Sequence, residues 1–327
     1  MRFLWLTTQC PFHNLATEAY LLQNSDEDIF MLWQNANSII IGRHQNTLAE
    51  INREYVEEHN ITVARRLTGG GAVFHDLGNL NFSFIQNIQN NDREINFVKY
   101  LQPIVDALIA LGIPASFSGR NDLLIHDKKI SGNAMAFYGN RVLEHGTLLF
   151  SSVQEDIAQA LKVDPAKFAD KAVKSVRSRV TNISEHLPNP MTVMEFKDYL
   201  MNFILKQNNL STVSQLTPEE EAAINVLEKE KFSTWEWNFG NSPKYAIQRK
   251  IRTTGGSIEV LMDVKDGHIC ALQFQGDFFS RREPEELAQQ LIGQPHTREA
   301  VTEVIHNNDI NAFFSGATEE EIISLFL

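Results

Sequence analysis

Cysteine is scarce in this chain of 327 residues, which contains only Cys10 and Cys270. Two cysteines so far apart provide neither a disulfide framework nor the ligand spacing of a cysteine-based metal site. Long apolar runs are also lacking, and the first residues have no charged segment followed by an apolar stretch, as a signal peptide would. We therefore expect a cytoplasmic protein with no membrane partner.

Basic residues are in the minority, since 29 lysines and arginines stand against 41 acidic residues and give a formal net charge of −12. General nucleic-acid binding normally leaves a basic footprint, so we expect no nucleic-acid partner. Basic residues do cluster in one segment, at these positions: Lys162, Lys167, Lys171, Lys174, Arg177 and Arg179. The length suggests two domains, and we take a monomer as the default.

The most informative stretch runs from Arg65 to Asp76. Arg65 and Arg66 precede three successive glycines, Gly69–Gly71, here called the glycine loop, and a strand-like segment follows. Successive glycines let backbone N–H groups converge on an anion, and a planar guanidinium suits phosphate or carboxylate. The loop has neither the Gly-Lys-Ser/Thr ending of the Walker motif nor the helix that follows a dinucleotide fingerprint. The stretch indicates a phosphate-binding loop of another architecture, with a plain hairpin turn as the alternative.

A second stretch, Gly119 to Ala134, leads into a predicted strand over Lys129 to Phe137. Side chains alternate along a strand, so Lys129, Ser131 and Asn133 are expected to share one face. A row of ammonium, hydroxyl and amide groups on a core strand suits a polar ligand lying along the sheet. The alternative is a solvated lysine beside a turn, which is where most lysines lie.

Two further stretches contain polar groups that have either a structural or a functional role. The segment Glu144 to Phe150 predicts a strand with His145 on one face, and His75 follows the glycine loop. Isolated histidines of this kind are more often structural than catalytic, and no nucleophile elbow supports a hydrolase. Ser175 to Asn182 alternates polar and basic groups and is typical of an exposed loop.

The predicted elements indicate an α+β protein. Helices are expected over Asn14 to Asn24, with Asn14 as the cap, and over Glu94 to Leu111. The first 242 residues predict a mixed β-sheet with flanking helices, and residues 243–327 predict a small α+β domain. Lys265 to Gly267 has the signal of a hairpin turn inside that second domain.

Taken together and in this order, four motifs resemble bacterial lipoate–protein ligases. They are the glycine-loop stretch, the Gly-Arg-Asn-Asp to Lys-Ile-Ser-Gly-Asn-Ala stretch, His-Gly-Thr-Leu-Leu, and Ser-Val-Arg-Ser-Arg-Val-Thr-Asn. The resemblance covers nearly the whole chain. It implies a catalytic domain similar to those of biotin protein ligases and class II synthetases, over residues 1–242, followed by an accessory domain, 243–327, that changes position during the reaction.

The resemblance also implies a two-step reaction. Lipoate and ATP would form lipoyl-AMP and pyrophosphate with the help of Mg²⁺, and a lysine of an acceptor protein would then take the lipoyl group. The implied acceptors are lipoyl domains of 2-oxoacid dehydrogenase E2 subunits and the glycine cleavage H protein. No tightly bound prosthetic group is implied.

Site residues follow from matching this chain to the family motifs. The implied nucleotide-binding residues are Arg66, Gly71, Ala72, Val73, Phe74, Asp122, Lys129, Ser175, Arg177 and Arg179. Lys129 is the implied catalytic residue, because one ammonium can neutralise both the acid and the phosphate. Asp122 is a candidate metal ligand or partner of Lys129. The candidate lipoate-binding residues are Leu15, Trp33, Gly70, Gly71, Val73, His75, Lys129, Ser131 and His145.

Three alternatives remain beside this ligase. An octanoyl or lipoyl transferase of the same fold would use a thioester donor and a cysteine nucleophile, but neither Cys10 nor Cys270 lies near the motifs in sequence. A biotin ligase would carry a Gly-Arg-Gly-Arg signature, which the chain lacks. A non-catalytic binding protein would not need the intact set of arginine, glycine and lysine residues.

Overall fold

The computed structural model describes residues 1–88, 93–118, 121–153, 159–161, 180–240, 247–265 and 267–326. No helix within these residues is long and apolar enough to cross a membrane. The elements of the first part are, in chain order, β1 (Arg2–Trp5), α1 (Pro11–Asn24), β2 (Ile29–Trp33), β3 (Ser38–Ile41), α2 (Thr47–Glu50), α3 (Arg53–Glu58), β4 (Thr62–Arg65), β5 (Val73–His75), β6 (Asn79–Asn87), α4 (Phe97–Ala110), β7 (Ala115–Ser118), β8 (Asp122–Ile125), β9 (Lys128–Tyr138) and β10 (Arg141–Leu149).

The rest of the chain is mainly helical around one more sheet. Its elements are a 3₁₀ turn (Ile183–His186), α5 (Val193–Gln207), α6 (Pro218–Leu227), a π-helical turn (Glu228–Phe232), α7 (Trp235–Phe239), β11 (Ile247–Thr253), β12 (Gly256–Lys265), β13 (His268–Gly276), α8 (Pro284–Leu291), α9 (Arg298–His306), α10 (Ile310–Phe313) and α11 (Glu319–Ser324). The predicted α+β class is confirmed.

Three sheets organise these elements. The largest has seven strands in the order β1-β2-β6-β10-β9-β8-β7, and a small sheet has the order β4-β3-β5. Strands β1 and β2 are parallel, as are β3 and β4, whereas the other pairs are antiparallel, so both sheets are mixed. The third sheet, β11-β12-β13, is antiparallel, and Lys265 pairs with His268 across the predicted hairpin turn.

The large sheet is covered differently on its two faces. Helices α4 and α5 pack on one face through a core that includes Phe82, Leu101 and Leu200. Helix α1 packs on the other face, where Leu15 and Trp33 belong to a second core. The remainder of that second face borders a cleft lined by residues of β6, β9 and β10, and it is called here the ligand-accessible face. A separate core, containing Phe278 and Phe313, lies within the C-terminal part.

Both long helices predicted in the first part form, with corrected starts. Helix α4 begins at Phe97 rather than at Glu94, because the Asn96 side chain accepts a hydrogen bond from the Lys99 N–H and caps the helix. Helix α1 begins at Pro11, since proline suits the first turn of a helix. Asn14 is therefore not the cap but a fully buried residue inside the helix.

Strand β9 contains a bulge that changes which side chains share a face. Leu124 pairs with Lys129, whereas its neighbour Leu123 pairs with Ser131, so one extra residue lies between them on β9. The side chain of Lys129 is therefore on the same face as Gly132, opposite Ser131. The prediction that Lys129 and Ser131 share a face was wrong, because simple alternation holds only for an uninterrupted strand.

Candidate active site

A cleft opens on the ligand-accessible face of the large sheet, between that sheet and the glycine loop. It contains about 610 Å³ of unfilled space, including its open mouth. Its lining comes from α1, β2, β3, β5, β6, β9, β10, the glycine loop and residues next to these elements. It consists of Leu15, Trp33, Ile40, Arg66, Gly70, Gly71, Ala72, Val73, His75, Asn81, Asn121, Lys129, Gly132, Asn133, Ala134, His145, Gly146 and Thr147. A cleft of this size with mixed lining suits a small molecule with an apolar body and a polar end.

The three glycines of the loop have different reasons for being glycine. A Cβ on Gly69 would lie 2.3 Å from the Phe278 carbonyl oxygen. Gly70 has a φ of +89°, a backbone conformation that other residues rarely adopt. A Cβ on Gly42 would lie only 1.9 Å from the Gly70 carbonyl oxygen. A Cβ on Gly71 would meet no atom closer than 4.0 Å. Gly71 thus leaves open space beside the loop backbone, where an anion can approach.

Arg66 holds the glycine loop in shape. Its Nη2 donates to the carbonyl oxygens of Gly69 and Gly71 at 2.7 and 2.8 Å, its Nη1 to the Ile40 carbonyl at 3.0 Å, and its Nε to Thr68 Oγ1 at 2.9 Å. Burial lowers the pKa of the guanidinium to about 10, so Arg66 keeps its charge at neutral pH. The loop therefore contains a fixed positive charge whose hydrogen bonds already go mainly to the protein backbone.

Lys129 brings a second positive charge to the mouth of the cleft. Its Nζ lies 2.8 Å from Asp122 Oδ1, so these two side chains form an ion pair, which is one of the two roles expected for Asp122. The ammonium lies over Gly132, because a Cβ on that glycine would be 2.9 Å from Nζ. The Lys129 side chain is 37 % exposed and lines the cleft, so the ammonium is held in place yet accessible to a ligand.

A chain of hydrogen bonds connects the sheet to the glycine loop beneath the cleft. Glu18 Oε1 accepts from Ser83 Oγ at 2.6 Å and from His145 Nδ1 at 2.8 Å. His145 Nε2 lies 2.8 Å from Thr68 Oγ1, the same hydroxyl that binds Arg66. His145 is nearly buried, at 6 % exposure, and its two ring nitrogens are both engaged. It therefore fixes the position of the loop, and it also forms part of the cleft wall.

The far wall of the cleft is apolar. Leu15 and Trp33 are buried at 1 % and 2 % exposure, and Val73 packs against the same core. The Trp33 indole Nε1 donates to Ser83 Oγ at 2.8 Å, which fixes the plane of its ring. The three predicted wall residues thus come together in space although they are far apart in sequence.

Most of the predicted site residues line this one cleft. Three do not: Phe74 packs its side chain into the core behind the small sheet, Ser131 donates to Asn133 Oδ1 on the opposite face of β9, and Asp122 reaches the site only through its ion pair with Lys129. Ser175, Arg177 and Arg179 lie outside the described residues. The glycine loop is followed by β5, as expected, but β5 pairs with β3 rather than with β4, so the plain hairpin interpretation is wrong.

Sequence reasoning missed several lining or supporting residues. Glu18 could have been noticed, because it lies three residues after Leu15 on the apolar face of α1, where a carboxylate needs a special partner. Asn81 and Asn121 gave no such signal, since single asparagines near turns and strand ends are common. Their place in the cleft depends on how distant strands pair.

The C-terminal part contacts the glycine loop directly. The Phe278 carbonyl oxygen accepts from the Gly70 N–H at 3.1 Å, and the His44 ring stacks on the Phe278 ring with centroids 4.9 Å apart. Phe279 is 1 % exposed and meets Phe97 of α4 edge-on, with centroids 5.4 Å apart. One N–H of the loop is thereby already occupied by the segment that follows β13.

Comparison with known proteins identifies both parts of the chain. Residues 10–205 match the family described as lipoyl protein ligase A/B catalytic domain. Residues 242–326 match the family described as bacterial lipoate protein ligase C-terminus. The second match begins where the sequence predicted the accessory domain, although the boundary itself, near Ser242, lies outside the described residues.

Similar proteins are named as ligases. Lipoate-protein ligase LplJ of Bacillus subtilis is 41% identical over 319 residues, 96% of each chain. Lipoate–protein ligase 1 of Staphylococcus aureus is 41% identical over 317 residues, again 96% of each chain.

Solved structures agree with these relatives. The crystal structure of Plasmodium falciparum LipL1 in complex with lipoate is similar with a TM-score of 0.77 and 27% identity, and covers 94% of both chains. A lipoate-protein ligase A bound with ATP gives a TM-score of 0.64 at 28% identity, over 73% of this chain and 98% of the other. On the strength of the family matches and the relatives, the chain belongs to the lipoate–protein ligases.

Proposed function

We propose that the cleft activates lipoate with ATP and then transfers the lipoyl group to a lysine of an acceptor protein. The observation that carries this proposal is the position of the Lys129 ammonium, which lines one cleft together with the open backbone at Gly71 and the apolar wall at Trp33. An acid with an apolar body can place its carboxylate at the ammonium while a phosphate approaches the loop. One of the similar solved structures is a complex with lipoate and another is bound with ATP, which supports the same two ligands here.

In the first proposed step, a carboxylate oxygen of lipoate attacks the α-phosphorus of ATP, and the bond to the departing pyrophosphate breaks. Two anions must approach each other, so the step needs fixed positive charge and backbone donors where negative charge accumulates. Lys129 supplies the charge between the two groups, while the loop from Gly71 through Phe74, held by Arg66, supplies backbone donors. Only the backbone of Phe74 can take part, because its side chain faces away.

Mg²⁺, when bound, neutralises charge on the phosphates of ATP. This metal is usually held by one or two carboxylates together with phosphates and water. Asp122 fits such a role, since a carboxylate can bind Lys129 through Oδ1 and still offer a second oxygen. We propose Asp122 as a Mg²⁺ ligand because of this second carboxylate oxygen.

In the second proposed step, the ε-amine of an acceptor lysine attacks the acyl carbonyl, an amide forms, and AMP leaves. We propose lipoyl domains of E2 subunits and the glycine cleavage H protein as acceptors, in a monomeric, cytoplasmic enzyme with no nucleic-acid or membrane partner. A similar solved structure describes an archaeal bipartite ligase and its E2 lipoyl domain, at 32% identity over 75% of this chain. Ser175, Arg177 and Arg179 are proposed to cover the adenylate and exclude water.

One experiment separates this proposal from the alternatives. The protein is mixed with lipoate, Mg²⁺ and an apo lipoyl domain, with and without ATP, and the acceptor is weighed by mass spectrometry. A mass gain that requires ATP supports the ligase. A gain from octanoyl carrier protein without ATP would instead support the transferase, which Cys10 and Cys270 disfavour because neither lines the cleft.

Replacing Trp33 with valine should lengthen the apolar end of the cleft. The indole is buried and its hydrogen bond to Ser83 is lost, so we expect about 3 kcal/mol less stability and a preference shifted toward longer acids. Initial rates of pyrophosphate release over a series of fatty acids measure the preference. Trp5→Val, at the edge of the sheet and outside the cleft, is the control; an unchanged preference in Trp33→Val removes Trp33 from the acyl pocket.

Replacing Phe279 with alanine should free the glycine loop from the C-terminal part. The family resemblance implies that this part changes position. While the Phe278 carbonyl oxygen accepts a hydrogen bond from the Gly70 N–H, a ligand cannot use that N–H, so this state competes with ligand binding. We expect a several-fold lower KM for ATP, because the competent state becomes more populated. Phe274→Ala, which alters only the C-terminal core, is the control. A KM for ATP that rises in Phe279→Ala contradicts the competition.

A further inference from the structure

Two buried polar atoms at the apolar end of the cleft have no partner within the described chain. They are His75 Nε2 and Asn81 Nδ2, in residues that are 3 % and 1 % exposed. Both residues line the cleft. An unpaired buried polar atom is unfavourable unless something binds it, so these two atoms indicate a ligand contact rather than packing.

Hydrogen bonds fix where the proton of His75 lies. Asn14 Nδ2 donates to the carbonyl oxygens of Thr8 and Gln34, at 3.2 and 2.9 Å, and also to Asn35 Oδ1 at 2.9 Å. Carbonyls only accept, so Asn14 must donate, and Asn35 Oδ1 must accept. Asn35 Nδ2 then donates to His75 Nδ1 at 3.0 Å. The proton of a neutral His75 is therefore on Nε2, the atom that lacks a partner.

His75 is neutral at any ordinary pH. Burial, together with smaller contributions from the charge of Arg66 and from His145, lowers its pKa to about 3. Nε2 thus offers one N–H donor without a charge. Trp33 meets the His75 ring edge-on, with centroids 6.0 Å apart, so the donor lies beside the apolar wall.

Asn81 offers the second donor close by. Its Oδ1 accepts from Asn79 Nδ2 at 2.8 Å, which leaves Nδ2 unpaired. In the sheet, Asn81 stands directly opposite Trp33 on β2 and opposite Thr147 on β10. Asn81 therefore lies next to the same wall as His75.

The position of Asn81 relative to Lys129 corresponds to the far end of an acyl chain. Gly132 on β9, over which the Lys129 ammonium lies, is beside Thr147 on β10, and Thr147 is beside Asn81 on β6. The ammonium and Asn81 are therefore separated by two strand spacings, about 10 Å. An acid whose carboxylate contacts Lys129 and whose eight-carbon chain crosses the sheet reaches Asn81 with its last atoms. For lipoate, those atoms belong to the dithiolane ring, whose sulfurs are weak hydrogen-bond acceptors.

We propose that His75 Nε2–H and Asn81 Nδ2–H bind the sulfur-bearing end of the acid and make this enzyme prefer lipoate to octanoate. The inference rests on the proposed function, since it assumes that the cleft holds lipoate. Octanoate has a chain of the same length but carries only hydrocarbon at its far end, so both donors stay unpaired when it binds. A site whose buried donors stay unpaired with one substrate discriminates strongly against that substrate. Because sulfur accepts weakly, we expect a preference of about tenfold rather than several orders of magnitude.

The test compares two acids in matched variants. Initial rates of ATP-dependent adenylate formation give kcat/KM for lipoate and for octanoate in the unmodified protein, Asn81→Leu and Asn81→Asp. Leucine keeps the branched shape of asparagine, is somewhat larger, and removes the donor, whereas aspartate has nearly the same volume as asparagine and replaces the donor with an acceptor. We expect the lipoate-to-octanoate ratio to fall about tenfold in both variants, mainly through loss of lipoate activity. A general structural defect would lower both activities together and leave the ratio unchanged.

A second measurement does not depend on any variant. In protein with ¹⁵N-labelled histidine, the Nε2 resonance of His75 should shift when lipoate is added and shift much less with octanoate. If both acids are activated by ATP but neither the ratio nor the resonance distinguishes them, this inference is overturned and the proposed function stands. If neither acid is activated, the proposed function fails, and the inference with it.

Discussion

Lys129→Ala should slow lipoyl-adenylate formation by roughly two to three orders of magnitude, the usual effect of removing one strong electrostatic stabiliser. The loss is expected mainly in kcat, because the ammonium matters most while charge builds up between carboxylate and phosphate. Stability should change little, since the Lys129 side chain is over one-third exposed and its ion-pair partner Asp122 is also partly exposed. In this variant the Asp122 carboxylate loses its cationic partner but remains solvated, so the cost in stability is small.

The measurement is pyrophosphate release in the presence of lipoate and ATP, before any acceptor is added. Lys128→Ala is a matched control, because Lys128 is the exposed neighbour on the same strand and does not line the cleft. It should keep nearly full activity. Near-normal pyrophosphate release from Lys129→Ala would remove Lys129 from the mechanism, whatever the effect on later transfer.

The sequence predicted those parts of the fold that depend on local pattern. Helix α4 and the hairpin between β12 and β13 each involve residues within a few positions of one another, and the structure confirms both. The family resemblance, rather than any local pattern, implies a role in the cleft for Leu15, Trp33 and His145. Their meeting in one cleft depends on strand order, which no local pattern determines.

Two kinds of feature could not be predicted. The bulge in β9 depends on how Leu123 and Leu124 pair with the neighbouring strand, so the face of Ser131 could not be read from alternation. The polar chain from Asn14 through Asn35 to His75 depends on three separate segments meeting in the interior. Each residue alone is typical of a surface or a turn, and only the assembled structure shows that they are buried.

Arg66→Lys tests whether this arginine binds the nucleotide itself or shapes the loop that binds it. The guanidinium satisfies three backbone carbonyls and the Thr68 hydroxyl from one planar group, and a lysine cannot reach all four. Buried carbonyls would lose their donors, so we expect a loss of roughly 3 kcal/mol of stability. Adenylate formation should fall about a hundredfold, because small displacements of a binding loop have effects of that size.

Thermal unfolding and the KM for ATP, measured together, distinguish the two roles. Arg141→Lys is the control, because Arg141 is also buried and donates to Asn87 Oδ1 and to the Glu27 carbonyl, but does not line the cleft. It should lose stability without a change in the KM for ATP, whereas Arg66→Lys should lose both stability and ATP binding. If Arg66→Lys unfolds at the original temperature and keeps most of its activity, then a positive charge alone is sufficient there. The backbone contacts of Arg66 would then not be what holds the glycine loop open to the phosphate, and the hydrogen bond between Thr68 and His145 would have to do so.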